Sequence, residues 1–384
     1  MPATQTNASL TFRRTTETPV AGAKTLGQHY FVSPEIFAEE QEKIFSRDWV
    51  VVGQQSQIAR QGDYFVAWVA GESLIIVRDK SEEIHGFYNV CRHRGTRLIE
   101  DRNGHLSTAI QCPYHSWTYA LEGRLIGAPH MEDVREFDKA DYSLHPVNLM
   151  LWEGFVFVNL AGAARQRGGY RSQEEWFAPL AGKFLHWNLP KLRSAKRVEY
   201  DVCANWKLIF ENYSECYHCP GVHPQLQKIS PYDSAENDLT EGPFLGGFMR
   251  IAKGNSLTRS GNACALPVGD MGAENFHRVF YYSIFPNMLL SLHPDYVMVH
   301  QLQPHSPDRT LIYCDWFFHP EAFGRENFKP EDAIEFWDVT NKQDWHVCEL
   351  SQQGINSRAY QPGPYSSRES IPAAWDNYYL RRMR

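Results

Sequence analysis

Cysteine is scarce: eight residues in 384 are too few for the disulfide scaffold of a small secreted domain. No apolar run approaches the ~20 residues that span a bilayer. The opening MPATQTNASLTFRRTTETP lacks the apolar core that a secretion signal needs. Positive charge is in deficit, with 38 Lys and Arg against 45 Asp and Glu and a net charge of -7, the wrong sign for a nucleic-acid binder. Also missing are a G-x-G-x-x-G in a strand–turn–helix setting and a C-x4-C-x2-C run, so the chain has no nicotinamide or flavin module and no plant-type ferredoxin of its own. These absences point to a soluble, cytoplasmic protein. Its 43% hydrophobic and 22% charged content is ordinary, and at ~150 residues per domain the length suits two or three. What is plentiful is aromatic: 22 Phe, 11 Trp and 19 Tyr, 14% of the chain. Such side chains build cores first and hydrophobic or cation-binding pockets second.

Ser33-Pro34 is a helix-start signal, an N-cap followed by Pro at the first helical position, and predicts a helix to about Ser46. From Trp49 to Leu160 the texture is one of short β-rich runs: VVVGQ, YFVAWVA, SLIIVRD, GFYNV, SWTYALEGRL and GFVFVNL. We therefore expect a helical segment over 1–47 packing on the later domain, an all-β domain over 48–162, and a second domain over 163–384. A linker (GAARQRGGYRSQ) joins the two domains, and Ser172-x-x-Glu175 resembles a capping box for a helix at about 173–182. Beyond it, SAKRVEYDVC reads as a strand and NWKLIFENYSECYHC, Asn205–Cys219, as a helix. Five strand-like runs and a long helix, PEDAIEFWDVTNKQDWHVCELSQQG, follow, and the tail around PGPYSSRES reads as loop. The fold class is α+β, an antiparallel sheet flanked by helices.

Two constellations carry chemistry. Cys91-Arg92-His93 and Cys112-Pro113-Tyr114-His115 each follow a β-run and each offer one thiol and one imidazole. A tetrahedral Cys2His2 zinc site is one reading. A Rieske [2Fe–2S] cluster, two Cys on one iron and two His on the other, is the second. Zinc fingers group their Cys together and their His together, whereas here each loop gives one of each. CRHRG with CPYHSWTY resembles the Rieske signature, with Tyr114, Ser116 and Trp117 placed to pack around the cluster.

The second constellation lies in ENYSECYHCPGVHP. On a helix, Asn212, Glu215 and His218 share a face. His218 and His223 are five apart, about 500° of ideal helix, so an undistorted helix would not converge them. Pro220 and Gly221 lie between and break regularity. An iron held by two His and one carboxylate would need a third ligand from elsewhere. In the long helix Asp344 falls in a stripe with Ala333, Trp337 and Cys348; an unpaired carboxylate there is costly, so we expect it to be paired or metal-bound. Glu349 and Asp338 compete on poorer phase. Cys216 and Cys219 form a C-x-x-C that we read as incidental, and His29, His85, His186 and His346 as ordinary histidines.

Together these motifs resemble the oxygenase α subunit of the Rieske non-haem iron oxygenases over nearly the whole chain. The resemblance implies that Cys91, His93, Cys112 and His115 hold the cluster and that His218, His223 and Asp344 hold mononuclear iron(II). It implies that Glu215 links the iron to a cluster His of a neighbouring subunit in a homotrimer. O2 is then the co-substrate, and NAD(P)H acts only through a separate flavin or ferredoxin-type reductase. The ring-dihydroxylating dioxygenases carry Asp where this chain has Glu215; the segment is more similar to the branch that oxidises quaternary or methylated amines such as glycine betaine, stachydrine and carnitine. Hydroxylation and N-demethylation of a small methylated amine is the implied activity, with Trp206, Tyr213 and Tyr217 as candidates for a cation-binding cage. Rival readings are mono- or dioxygenation of an aromatic or apolar substrate, a non-catalytic Rieske electron carrier, and a zinc-stabilised binding module.

Overall fold

A computed structural model describes residues 11–18, 20, 22–161 and 173–384. The leading segment holds strand β1 (Arg13–Arg14) and helices α1 (His29–Val32) and α2 (Pro34–Glu40). Ser33 caps α2 as expected, its Oγ accepting from the Ile36 N–H at 3.1 Å. The helix continues as a wider turn to Phe45.

Two compact units follow from the packing, and the first comprises residues 38–184 and 189–191. Its strands are β2 (Val50–Gln54), β3 (Asp63–Val69), β4 (Glu72–Arg78), β5 (Ile84–Tyr88), β6 (Asn103–His105), β7 (Ala109–Gln111), β8 (Thr118–Ala120), β9 (Leu125–Gly127), β10 (Asn148–Trp152) and β11 (Phe155–Asn159). They pair into three small sheets, β10-β11-β2, β5-β4-β3-β6 and β7-β8-β9. One apolar core joins Ile75, Phe87, Ile110, Trp117 and Tyr119, and it takes in Cys91 and Cys112. Helix α3 (Gln173–Phe177) and the residues after it belong with this unit rather than with the next, where residue 163 was expected to begin it. The reason is aromatic packing: Phe177 stacks on Trp152 at 4.7 Å between centroids, and Phe184 meets the same ring edge-on at 5.6 Å. Residues 38–47 join it too, and the Asn159 amide donates to the Arg47 carbonyl at 2.7 Å. Ser172 of the expected capping box lies outside the described residues.

The second unit comprises the segment up to Phe37, residues 185–188 and 192–384. Its strands are β12 (Arg193–Val202), β13 (Glu236–Leu239), β14 (Phe244–Arg250), β15 (Arg278–Ile284), β16 (Met288–Leu292), β17 (Val297–Ser306) and β18 (Arg309–Phe318). With β1 they make an eight-stranded antiparallel sheet in the order β1-β13-β14-β15-β16-β17-β18-β12. All five residues of β16 are buried, so the middle of the sheet is covered on both faces. Gly246 is needed in β14: its φ is 138°, and a Cβ there would come within 2.0 Å of the Tyr281 carbonyl oxygen on β15.

The helices of this unit are α4 (Trp206–Tyr213), α5 (Cys219–Val222), α6 (Pro224–Ile229), α7 (Gly272–Asn275), α8 (Pro330–Ile355) and α9 (Ser370–Met383). Two expectations are corrected here. The helix expected to run to Cys219 stops at Tyr213, because the Ser214 Oγ and N–H both turn back to the Phe210 carbonyl. The tail expected as loop contains α9, whose Trp375 and Tyr379 pack on Trp206. The described residues contain no helix long and apolar enough to cross a membrane.

Candidate functional site

In the all-β unit the loops 91–96 and 112–117 close in the same way. The Gly95 N–H donates to the Cys91 carbonyl (3.0 Å), and the Cys91 N–H to the Thr96 carbonyl (2.8 Å). In the other loop the Ser116 N–H donates to the Cys112 carbonyl (3.1 Å), and the Cys112 N–H to the Trp117 carbonyl (2.8 Å). The residue four after each cysteine takes a left-handed conformation, Gly95 at φ 73° and Ser116 at φ 56°. Ser116 thus contributes its backbone to the site. The repeated turn places Cys91 and Cys112 in the core, with both thiols buried. The His93 and His115 rings stand exposed, 4.8 Å apart between centroids. Trp117 stacks on His93 at 4.8 Å, and Tyr114 lies against His115.

Burial, with Cys112 close by, pushes the Cys91 thiol up against the pull of the Tyr119 hydroxyl, 3.3 Å from its Sγ. Two buried thiols and two exposed imidazoles, one of each from each loop, are a donor set divided between sulfur and nitrogen. A two-iron cluster with unlike irons demands that division; one tetrahedral ion does not. Tyr119 was not foreseen, and only its place in the β-run after CPYHSW hinted at a core position beside sulfur.

In the second unit, His218 Nε2, His223 Nε2 and an Asp344 carboxylate oxygen all lie within 4.8 Å of one another. Asp344 Oδ1 is 2.8 Å from His223 Nε2 and 3.2 Å from His218 Nε2. The convergence arises differently from the expected route. Glu215 and His218 lie past the end of α4, in the turn at 214–218, and not on a shared helix face. Pro220 does not break a helix; it sits in the first turn of α5, where its missing N–H is harmless. His218 caps the start of this single turn and His223 its end, and the backbone departs from helix at His223 (φ -121°, ψ 66°).

The outer nitrogens of both imidazoles are occupied. His218 Nδ1–H donates to Glu215 Oε1 at 2.6 Å, and His223 Nδ1–H donates to Gln343 Oε1 at 2.8 Å. With the Nδ1 atoms so engaged, both Nε2 atoms face Asp344. The other Glu215 oxygen accepts from the backbone N–H groups of Tyr217 and His218. Burial opposes charge on His218, but hydrogen bonds to Asp344 and Glu215 outweigh it and hold the imidazole up to about 11. Burial likewise raises the Asp344 carboxyl, and the two histidines more than reverse this, leaving it below its usual range. Two imidazoles with one carboxylate, converging within 4.8 Å, are a donor set that suits a ferrous ion.

Of the rival carboxylates, Glu349 accepts from the Cys203 N–H (3.0 Å) and Asp338 from the Tyr200 hydroxyl (2.9 Å). Gln343 escaped the sequence reading, because nothing in its spacing marks it except adjacency to Asp344.

The triad opens on a cavity of about 270 Å³, lined also by Asn212, Tyr213, Tyr217, Phe248, Tyr281, His300 and Trp337. The Tyr281 ring lies edge-on to Tyr213 at 6.0 Å and to Trp337 at 6.4 Å. Trp206 is corrected: it is fully buried against Phe210, Phe285, Trp375 and Tyr379 and does not line the cavity. Burial lowers His300 to about 4, against the pull of Asn341 and Asp344, so its ring is neutral. Cys216 and Cys219 also reach the cavity, and the neighbouring Cys216 followed by burial pushes the Cys219 thiol well up.

Family models match this chain twice: a Rieske [2Fe-2S] domain over residues 48–138 and a ring hydroxylating alpha subunit, catalytic domain, over residues 189–384. The glycine betaine monooxygenase oxygenase subunit of Chromohalobacter salexigens is 32% identical over 90% of this chain and 82% of its own length. The carnitine monooxygenase oxygenase subunit of Escherichia coli K12 is 30% identical over 88% and 86%. A quaternary ammonium Rieske monooxygenase solved with L-carnitine superimposes with a TM-score of 0.77 at 26% identity, covering 95% of this chain and 96% of that one.

Proposed function

The chain belongs to the ring-hydroxylating α-subunit family and carries its Rieske domain, and on that footing we propose that it is the terminal oxygenase of a multicomponent system acting on a small quaternary or N-methylated amine. The observation that carries this reading is the convergence of His218, His223 and Asp344 on an aromatic-lined cavity. Cys91, His93, Cys112 and His115 would hold the [2Fe–2S] cluster, and His218, His223 and Asp344 the iron(II). When bound, the cluster passes single electrons and the ferrous ion activates O2.

The protein's own residues do the rest. Glu215 and Gln343 fix the tautomer and aim of the two imidazoles. Tyr213, Tyr281 and Trp337 offer ring surfaces to a methylated ammonium, which no hydrogen bond can hold. Neutral His300 adds no charge to repel it. One oxygen atom enters an N-methyl C–H bond as hydroxyl, and the other leaves as water with two electrons and two protons. The carbinolamine then breaks its C–N bond to release formaldehyde and the demethylated amine.

A separate reductase supplies the electrons. Glu215 lies on His218 and has a carboxylate to offer a second imidazole, and we read it as the link to His115 of the partner subunit in a homotrimer. The eight cysteines are unpaired, which supports a reducing, cytoplasmic setting.

The test is O2 uptake with a surrogate reductase over betaines, trimethylated amines and aromatic acids. Formaldehyde released one-to-one with O2 on methylated amines is the expected result. Uptake with aromatic acids alone would move the substrate assignment to the apolar class, and no uptake with any of them would favour the electron carrier.

A further inference from the structure

We propose that Arg368 is a specificity-determining residue that binds an anionic group of the substrate, so that the cavity selects methylated amines carrying a carboxylate over those that lack one. The inference rests on the methylated-amine reading above and deepens it.

Charge in the cavity is unevenly engaged. Its carboxylates are Glu215, tied to His218, Asp344, tied to both histidines, and Asp233. Its cations are Arg14 and Arg368. Several arginines of this unit sit on carboxylates, among them Arg197 on Asp315, Arg250 on Glu236 and Arg309 on Asp201. Arg368 differs. Among the described residues no carboxylate lies within 4.0 Å of its guanidinium, and its side chain is only half-exposed. Its guanidinium carbon lies 4.7 Å from the centroid of the Tyr232 ring, another cavity-lining residue. Such packing restrains the planar group and leaves its edge N–H donors free for a carboxylate, which matches their fork. Arg14 is exposed on a two-residue strand and has no such ring beneath it.

A guanidinium repels an ammonium, so it serves no purpose toward the methylated end of the ligand. That end is suited to the aromatic rings of Tyr213, Tyr281 and Trp337. Arg368, Tyr232 and Asp233 come from chain segments that carry none of the triad. A zwitterionic ligand would place its methyl groups among the rings near the triad and its carboxylate on Arg368.

The experiment is calorimetric binding to the holoenzyme, paired with formaldehyde release. For the wild type, glycine betaine should bind at least tenfold more tightly than its methyl ester or choline. Equal affinity for the acid and its ester overturns the proposal without any variant. Arg368→Gln should weaken glycine betaine roughly ten- to hundredfold, the range expected of a charge-assisted hydrogen bond, with kcat little changed. Choline and tetramethylammonium should move less than about twofold on the same footing. Arg368→Lys should restore part of the loss. An equal fall for all ligands would mark a structural role and reject the proposal, as would no fall for any. If tetramethylammonium fails to bind and no methylated amine releases formaldehyde, the amine reading itself has failed. Loss of binding by glycine betaine alone remains the separate signature of the arginine.

Discussion

At the scale of the residue, the two imidazoles proposed to hold iron each rest on an acceptor outside the proposed ligand set. Gln343 holds His223 by its Nδ1–H, and Glu215 does the same for His218. Gln343→Leu keeps the bulk but removes the acceptor, so His223 gains a free tautomer and loses its aim. Iron affinity should fall roughly ten- to hundredfold, as for other partners of metal-bound imidazoles. Iron retained after dialysis against a graded chelator series reads this directly, while visible absorption of the cluster stays unchanged. Glu215→Gln makes a different prediction, because the amide retains one acceptor oxygen. The variant should keep both metals and its assembly, yet in a single turnover the reduced cluster should reoxidise many times more slowly. Loss of iron instead would assign Glu215 a positioning role alone. The convergence of His218, His223 and Asp344, with Glu215 against His218, was readable in the amino-acid sequence because side chains of metal-donor type are few in kind and their spacings here are unusual. Gln343 and Tyr119 were not, since an amide or a phenol becomes a partner only through the fold.

At the scale of the element, the short turn between α4 and α6 decides whether two histidines meet. The long apolar pattern after Asn205 reads as one helix, and hydrophobic periodicity cannot see a serine whose hydroxyl bends back on the carbonyl four residues before it. The same limit explains Trp206. Its place on the motif-bearing helix suggested a ligand cage, whereas it is the hub of the contact between α4 and α9, a helix hidden in the sequence by an ambiguous, proline-containing start. Strands with strong β-branched and aromatic runs were legible; β1, β6, β7, β10 and β13, mostly short, were not. Trp206→Ala should therefore cost about 3–5 kcal/mol of stability through the cavity it leaves. Urea unfolding should show the loss, and KM for a methylated amine should stay unchanged at temperatures where the variant is folded.

At the scale of the whole molecule, stability has a built-in dependence on pH that does not involve the metal sites. Burial pushes the Asp376 carboxyl up to about 7, against the pull of the Tyr365 hydroxyl, which donates to it at 2.7 Å. Burial first, and then Asp376, raise Glu211 well above the carboxylate range. One Glu211 oxygen and one Asp376 oxygen are shut off from solvent without another donor, and a proton shared between the acids satisfies both. The folded state thus binds a proton that the unfolded chain releases near pH 4. Stability from this pair is fully present below that point and declines as pH rises toward 7. Asp376→Asn should flatten the fall of melting temperature between about pH 4 and pH 7, and a slope as steep as in the wild type would show the pair to be inert.

The twin turns around Cys91 and Cys112 bear on how such a protein is assembled in the cell. Each loop shuts on its own cysteine through two main-chain hydrogen bonds made within six residues, so neither half of the cradle relies on the other for its shape. The shape of each jaw is thus written into its own six residues, and the fold has only to bring the two together.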